Sequence, residues 1–512
     1  MVLFGDLEPY KLSVDDSHNN ALHGSCQSGP MSRLPAELLA QVFSYCLSDE
    51  IFPVPASSQA PLLVAHTCSR WRTVALSTPS LWTRLHVVYK DPVLDVPMAS
   101  DWLQRSGCLL LSISVSIDFN ELPAQEILDV ICHHSSRWRH IRLEFRGLYC
   151  PPMYSLSRAE NNAPLLRAFE FSARDISSAN ITPIISLLNS APQLRELTWV
   201  DDLADTRRLM ELPLSRLTLL SITMRQGTLD YLELLDRCYN LEHIRITRPR
   251  PGDTRSVRQP LVLSKLTSLN IAYDLTAILD FLVLPALKHV RIHAERQTHQ
   301  TTRRSAATAI EPWLPVSFLS LIKRSSCAIK SLWLDVPMTE TCLAECLEMS
   351  SSSLTKLTVS GVVITDKLLS SLNCSPVSSS PSTSDPPSPS TSDPPSPSCW
   401  PLCPSLKEIS LNTCISSSPG ALVQMAQSRL IPDLETEGGT LSLRIWDGHK
   451  DLESLVSLHE EHCSLPGANK FKLDVLTPPP RTVFSSHNCT ACPSRPRSRR
   501  HISGKQRTCQ SR

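Results

Sequence analysis

Two hydrophobic rhythms divide the chain. Between residues 31 and 85 the apolar positions recur with helical spacing. In SRLPAELLAQVFSYC, Pro35 suits a first helical turn, where its missing N–H costs nothing. Leu38, Leu39, Val42, Phe43 and Cys46 then form an apolar stripe. The three prolines of SDEIFPVPASSQAP end that helix. A second helix is expected over residues 62–77, with Val64, Cys68, Trp71 and Ala75 on one face and Leu63 and Val74 at its edges. Thr78-Pro79-Ser80 stops it before Leu81 and Trp82.

Beyond residue 130 a strand-like alternation takes over. The spacing apolar-x-x-apolar-x-apolar recurs as WRHIRL, LRAFEF, LRELTW, LTLLSI, LEHIRI, LTSLNI, LKHVRI, IKSLWL, LTKLTV and LKEISL. The first positions are Trp138, Leu166, Leu194, Leu217, Leu241, Leu266, Leu287, Ile329, Leu354 and Leu406, so the gaps are 28, 28, 23, 24, 25, 21, 42, 25 and 52 residues. Seven of the nine gaps lie within the period of leucine-rich repeats, about 20–29 residues. Helical segments such as YLELLDRC sit between units. The expected fold class is therefore α/β: a small helical domain, then an irregular leucine-rich-repeat solenoid of parallel strands with helical or loop returns. The 42-residue gap reads as an inserted loop or a degenerate unit.

The 52-residue gap has a compositional cause. Residues 374–398 hold 19 Ser or Pro among 25, with STSDPPSP written twice, and such a segment cannot bury a core. The expected layout is a disordered N-terminus over 1–30, a helical domain over 31–90, a repeat array over 91–475 interrupted at 374–398, and a disordered basic tail over 476–512. Residues 481–512 carry eight Lys or Arg and no acid.

Composition removes several classes of function. Lys plus Arg is 50 against 49 Asp plus Glu, a net charge of +1, which argues against nucleic acid as the main partner. No apolar run approaches the roughly 18 residues of a membrane span. The start MVLFGDLEPYKLSVDDSHNN lacks the basic-then-apolar order of a signal peptide. The scattered 18 cysteines suggest reduced thiols, hence cytoplasm or nucleus.

Candidate metal ligands dissolve on inspection. His66 and Cys68, two residues apart on a helix, would point about 200° apart, and buried cysteine as a small hydrophobe is the better reading. Cys342 with Cys346, and Cys399 with Cys403, have no histidine or carboxylate companions and read as packing residues. His487, Cys489 and Cys492 make half a zinc site without a second half. No GxSxG, Walker loop or HExxH occurs and no acid/base pair stands out, so neither catalysis nor a cofactor is expected.

The pairing of LPAELLAQVF with CSRWRTVALSTPSLW, across a proline-containing loop, resembles the F-box, in the form abundant in mushroom-forming fungi. The resemblance covers about residues 31 to 85, and the later strands are similar to the leucine-rich arrays that often follow an F-box. It implies a helical hook that docks on the Skp adaptor of a cullin-RING ubiquitin ligase (SCF type), while the array presents a protein substrate. By position, Leu34 and Pro35 would open the first helix. Leu38, Leu39, Val42 and Phe43 would be anchors, with Cys68, Trp71, Val74 and Trp82 completing the adaptor-binding hook. Two departures stand out: the inter-helix loop is long and proline-rich, and the Asn or Cys ladder of regular repeats is mostly absent, only Cys414 falling at that position. The alternative is a leucine-rich-repeat scaffold acting outside a ligase.

If the strands line a concave face, the residues between the apolar anchors point into it. These are His140 and Arg142, His243 and Arg245, and His289, Arg291 and His293. A locally basic groove follows, with a preference for an acidic or phosphorylated substrate segment.

Overall fold

All ten repeated segments become strands of one parallel sheet. The structure, a computed structural model, describes residues 33–117, 124–147, 153–174, 178–201, 206–224, 231–247, 259–294, 313–374, 402–412, 415–430, 440–446, 449–463 and 471–476. The N-terminal 30 residues, the Ser/Pro stretch from residue 375, Cys399, Cys414, His487, Cys489, Cys492 and the basic tail lie outside them.

In chain order the strands are β1 (Arg84–Tyr89), β2 (Leu111–Ile117), β3 (Trp138–Phe145), β4 (Ala168–Ser172), β5 (Glu196–Asp201), β6 (Leu219–Met224), β7 (His243–Thr247) and β8 (Leu261–Val262). They continue as β9 (Ser268–Ala272), β10 (Leu282–Val283), β11 (His289–His293), β12 (Ser331–Asp335), β13 (Lys356–Ser360), β14 (Glu408–Asn412), β15 (Leu441–Trp446) and β16 (Phe471–Leu476). β8 and β10 pair separately; the other 14 form one sheet in strict chain order. The spacing explains the strands. Each unit buries one apolar side chain before the strand and two within it, as Leu194, Leu197 and Trp199 do at 0% exposure. The returns pack on that same face, the helix Pro92–Arg105 against β1 and the helix Leu452–Cys463 against β16. The opposite face carries the polar positions.

The array starts earlier and ends later than the ten segments. β1 lies within the stretch assigned to the helical domain, because Trp82-x-x-Leu85-x-Val87 carries the repeat spacing. Trp82 donates Nε1–H to the Ala75 carbonyl at 2.9 Å, and Trp138, the first anchor of β3, donates to Ile131 in the same way at 3.1 Å. In β15 and β16 the first anchor is replaced by Thr440 and Lys470, which hid both units.

The absent Asn ladder has a substitute. Thr218, Thr267 and Thr355 each follow the first anchor, and their hydroxyls bond the carbonyls of Arg195, Glu242 and Lys330 one unit earlier. Arginines close the other side. Arg137, Arg216, Arg324 and Arg429 each donate to carbonyls of the preceding unit. Arg429 is 9% exposed and reaches Leu372, Leu402, Cys403 and Leu406. Removing it strands buried acceptors, so Arg429→Met is expected to cost roughly 3 kcal/mol by denaturant titration. Arg237→Ala, which removes an exposed hydrogen bond to Met210 and an exposed ion pair with Glu233, is expected to cost well under about 1 kcal/mol. Equal losses would contradict the clamp.

Arg137 also donates to His134 Nδ1 at 3.0 Å. Burial first, then Arg137 and His133, holds the His134 imidazole down at about 4. A depressed pKa means the neutral ring belongs to the fold. Its contribution is fully present above the free value of 6.5 and is lost as pH falls through about 4. The thermal midpoint should therefore fall on acidification from neutrality, and His134→Asn should flatten part of that fall. An identical pH profile in the variant would contradict the assignment. His86, His140 and His289 are shifted the same way, burial being the largest cause in each.

Candidate interaction surfaces

The hook is built from α1 (Ala36–Tyr45), α2 (Leu62–Thr67) and α3 (Ser69–Leu76). The second predicted helix is thus two helices. Cys68 is extended at φ −159° and ψ 168°, and Thr67 turns its hydroxyl back to the Leu63 carbonyl. The Ala65 carbonyl, deprived of a helical donor by the break, takes the Arg72 Nε–H at 3.1 Å instead. Cys68 therefore occupies the N-cap position of α3, without a side-chain capping bond, rather than sitting on a helical stripe, and it is half-buried.

The single apolar stripe of α1 divides in two. Leu39 and Phe43 are buried at 0% exposure, whereas Leu38 and Val42 are 47% and 38% exposed. Tyr45, seven residues beyond Leu38 and so on the same side, is 81% exposed. Trp71 is half-buried, its ring 5.0 Å from Phe43. Pro35 is exposed; Leu34 packs partly into the core and its carbonyl accepts from the Arg70 guanidinium. Leu39, Phe43, Val74 and Trp82 are consumed internally, and Trp82 doubly so as the first anchor of the array. The surface left for another molecule is Leu38, Val42 and Tyr45, with Leu63 and Leu76 also exposed. Tyr45 was legible as the next turn of the Leu38–Val42 row.

The proline-rich loop does not hang free. His86 N–H on β1 donates to the Pro53 carbonyl at 3.0 Å, and Arg84 donates to the Glu50 carbonyl at 2.8 Å. Phe52, 7% exposed, lies under the Arg142 guanidinium at 4.5 Å. The loop thus covers the outer edge of β1 and the start of the open face, which leaves Ser112, Ser114 and Ser116 buried.

That arrangement corrects the predicted groove. Arg142 is held by Glu170 at 2.7 Å and by Phe52, and His140 shares a hydrogen bond with Ser112 at 3.0 Å. Neither belongs to an accessible basic patch. The other five residues do fall on the open face, at the registers that the spacing implied. His243 pairs with Ser268 and Ser268 with His289; Arg245 pairs with Asn270 and Asn270 with Arg291. His293 follows at the end of β11. Two neighbours went unnoticed in the sequence: Asn270, between the arginines, and Trp333, the register partner of Arg291, whose ring lies 3.5 Å from the guanidinium carbon.

Elsewhere on this face three cations meet acids on the adjacent strand. Arg142 pairs with Glu170, Lys356 with Glu408 at 2.5 Å and Arg444 with Asp474 at 3.1 Å. At the centre Arg245 and Arg291 flank an amide instead. The Arg291 pKa is lowered, by burial first and then by Arg245, with Asp335 opposing. Among the described residues no cluster of His, Cys, Asp and Glu could hold a metal, and no helix is long and apolar enough to cross a membrane.

Comparison with known proteins matches residues 31–88 to the F-box-like family. No curated protein matches the chain. Among solved structures, an internalin from Listeria monocytogenes is similar at 13% identity and a TM-score of 0.30, over 59% of this chain and 87% of that one. A protein from Bacteroides fragilis is similar at 12% identity and a TM-score of 0.25, over 68% of this chain and 72% of the other. The molecule is an F-box-like helical domain leading into a parallel-strand repeat array. F-box proteins as a class are adaptors that recognise other proteins, and the F-box-like segment ends on β1, the first strand of the array.

Proposed function

We propose that the chain is a non-catalytic substrate-recognition subunit of an SCF-type cullin-RING ubiquitin ligase. The hook docks an Skp-type adaptor, and the open face of the array holds a protein substrate. One observation carries this reading: an F-box-like domain whose first helix leaves Leu38, Val42 and Tyr45 exposed in a row. Adjacent exposed apolar side chains are costly in water and mark a surface that another protein covers. The adaptor-contacting set is therefore Pro35, Leu38, Val42 and Tyr45, with Trp71 at its border, while Leu39, Phe43, Val74 and Trp82 shape the hook from within.

The mechanism is positional. β1 belongs to both the F-box-like segment and the sheet, and the loop around Phe52 clamps the two together. Substrate held on the array is kept at a fixed offset from whatever the hook grips. That raises the local concentration of a substrate lysine near a conjugating enzyme. The work would be done in cytoplasm or nucleus, where free cysteines such as Cys132 and Cys238 persist. Co-expression with an Skp-type adaptor tests the reading: a stable complex on gel filtration is expected, and a chain that elutes alone beside free adaptor would overturn it.

A further inference from the structure

We propose that the open edge of β16 pairs antiparallel with the β16 edge of a second copy, about a two-fold axis through Leu473, so that two 14-stranded sheets become one. This goes beyond the adaptor reading and does not depend on it. The two ends of the sheet differ. At β1 the loop through Phe52 covers the edge, the Pro53 carbonyl taking the His86 N–H. At the other end β16 pairs with β15 alone among the described residues. An uncovered edge presents a row of unpaired backbone groups, which is a template for another strand.

Three features give this edge to a second copy. The first is backbone direction. Ser442 turns its N–H back to the Lys407 carbonyl at 2.7 Å, and Lys472 holds the same register on the next strand. Backbone groups alternate in direction along a strand, so Phe471, Leu473 and Val475 turn theirs to the open edge. The second is apolar exposure. Leu441, Leu443 and Ile445 on β15 are buried, but of their register partners Phe471, Leu473 and Val475 only Phe471 is. Leu473 is half-buried, Val475 is 40% exposed, and Val456 on the helix that packs against β16 is 37% exposed. The array therefore ends without the polar cap that a terminal repeat needs.

The third feature is charge order. Residues directly opposite each other on antiparallel strands share a face of the sheet. Centring on Leu473 sets Phe471 against the partner's Val475 and Lys472 against the partner's Asp474, each contact occurring twice by symmetry. Moving the centre to Lys472 or to Asp474 sets like charges face to face, which is unfavourable. Asp474 Oδ2 is taken by Arg444 at 3.1 Å, while Oδ1 lies 3.7 Å from Lys472 of its own strand, too far for a hydrogen bond, and has room for the partner's Lys472. The axis stands perpendicular to the sheet, so both open faces look the same way and both hooks lie at the outer ends. A substrate with two matching segments is then held by both faces at once.

Sedimentation velocity of the full chain at micromolar concentration is expected to show the mass of two copies. Val475→Pro removes an edge-facing N–H and no bond to β15, and should raise the dimer dissociation constant about tenfold or more. Lys472→Glu leaves the strand with acids alone and Asp474→Lys leaves it with bases alone, and each should weaken pairing about tenfold or more. Mixed in equal amounts, these two variants should recover the dimer, because every charged contact between them is again acid against base. Arg245→Glu, away from the edge, should change nothing. If Asp474→Lys disturbs folding by circular dichroism, Lys472→Glu and Val475→Pro carry the test with the same losses expected. A full chain that stays monomeric overturns the proposal, and a dimer that forms only after cutting behind Pro480 gives the edge to the chain's own tail instead. A dimer indifferent to all three edge variants, or a mixture of folded charge variants that stays monomeric, overturns it as well. Adaptor capture is read separately by co-purification, so a failed pairing leaves the ligase reading standing and a failed capture leaves the pairing standing.

Discussion

Trp82→Ala is expected to cost about 3–5 kcal/mol of folding free energy and to loosen the hook before any strand beyond β3. Trp82 is wholly buried, and its ring meets Trp102 edge-on at 4.8 Å. The indole N–H holds the Ala75 carbonyl, and Arg105 covers the ring at 4.9 Å. It therefore joins α3, the first helical return and β1 at one point. Truncation opens a large void there, and in a repeat array a local loss spreads only to nearest neighbours. Hydrogen exchange should show residues 33–105 losing protection while β5 to β16 keep theirs. Uniform loss along the sheet, or no loss, would contradict a joint at Trp82. Trp138→Ala, the same position two strands on, should loosen the array locally and leave the hook protected.

The second large effect concerns docking rather than folding. Leu38→Asp with Val42→Asp is expected to reduce adaptor affinity by over about a hundredfold, since each buried aliphatic contributes about 1.5–3 kcal/mol and each new carboxylate must be desolvated. Both positions are already exposed in the lone chain, so its melting curve should hardly move. Leu39→Ala is the contrasting change. It removes a fully buried side chain and should weaken capture only through loss of fold.

How much of this was legible follows from what each residue type reports. The spacing of apolar positions reports the face that turns inward, so all ten repeated segments were found, and the outward register of His243, Arg245, His289 and Arg291 came with them. Spacing says nothing about which polar neighbour lies on the adjacent strand. Hence Arg142 looked like Arg245, although one is neutralised by Glu170 and the other stands beside Asn270. Helical spacing likewise could not separate Leu38 from Leu39: both lie in one apolar band, and only the position of α3 and Trp71 decides which is covered. The break at Cys68 was hidden because Arg72 supplies from a side chain the donor that a continuous helix would have supplied from its backbone. The sequence leaves the place of Trp82 open for a related reason, since a tryptophan beside a helix end serves equally well as an interface anchor or as the first anchor of a strand.

The adaptor reading stands or falls on the exposed row of α1, Leu38, Val42 and Tyr45. Its most direct measurement is titration calorimetry of the purified full chain with an Skp-type adaptor, beside the Leu38→Asp/Val42→Asp variant shown by melting to be folded. A one-to-one complex is expected for the wild type and no measurable heat for the variant. Equal affinity in the two proteins would contradict it.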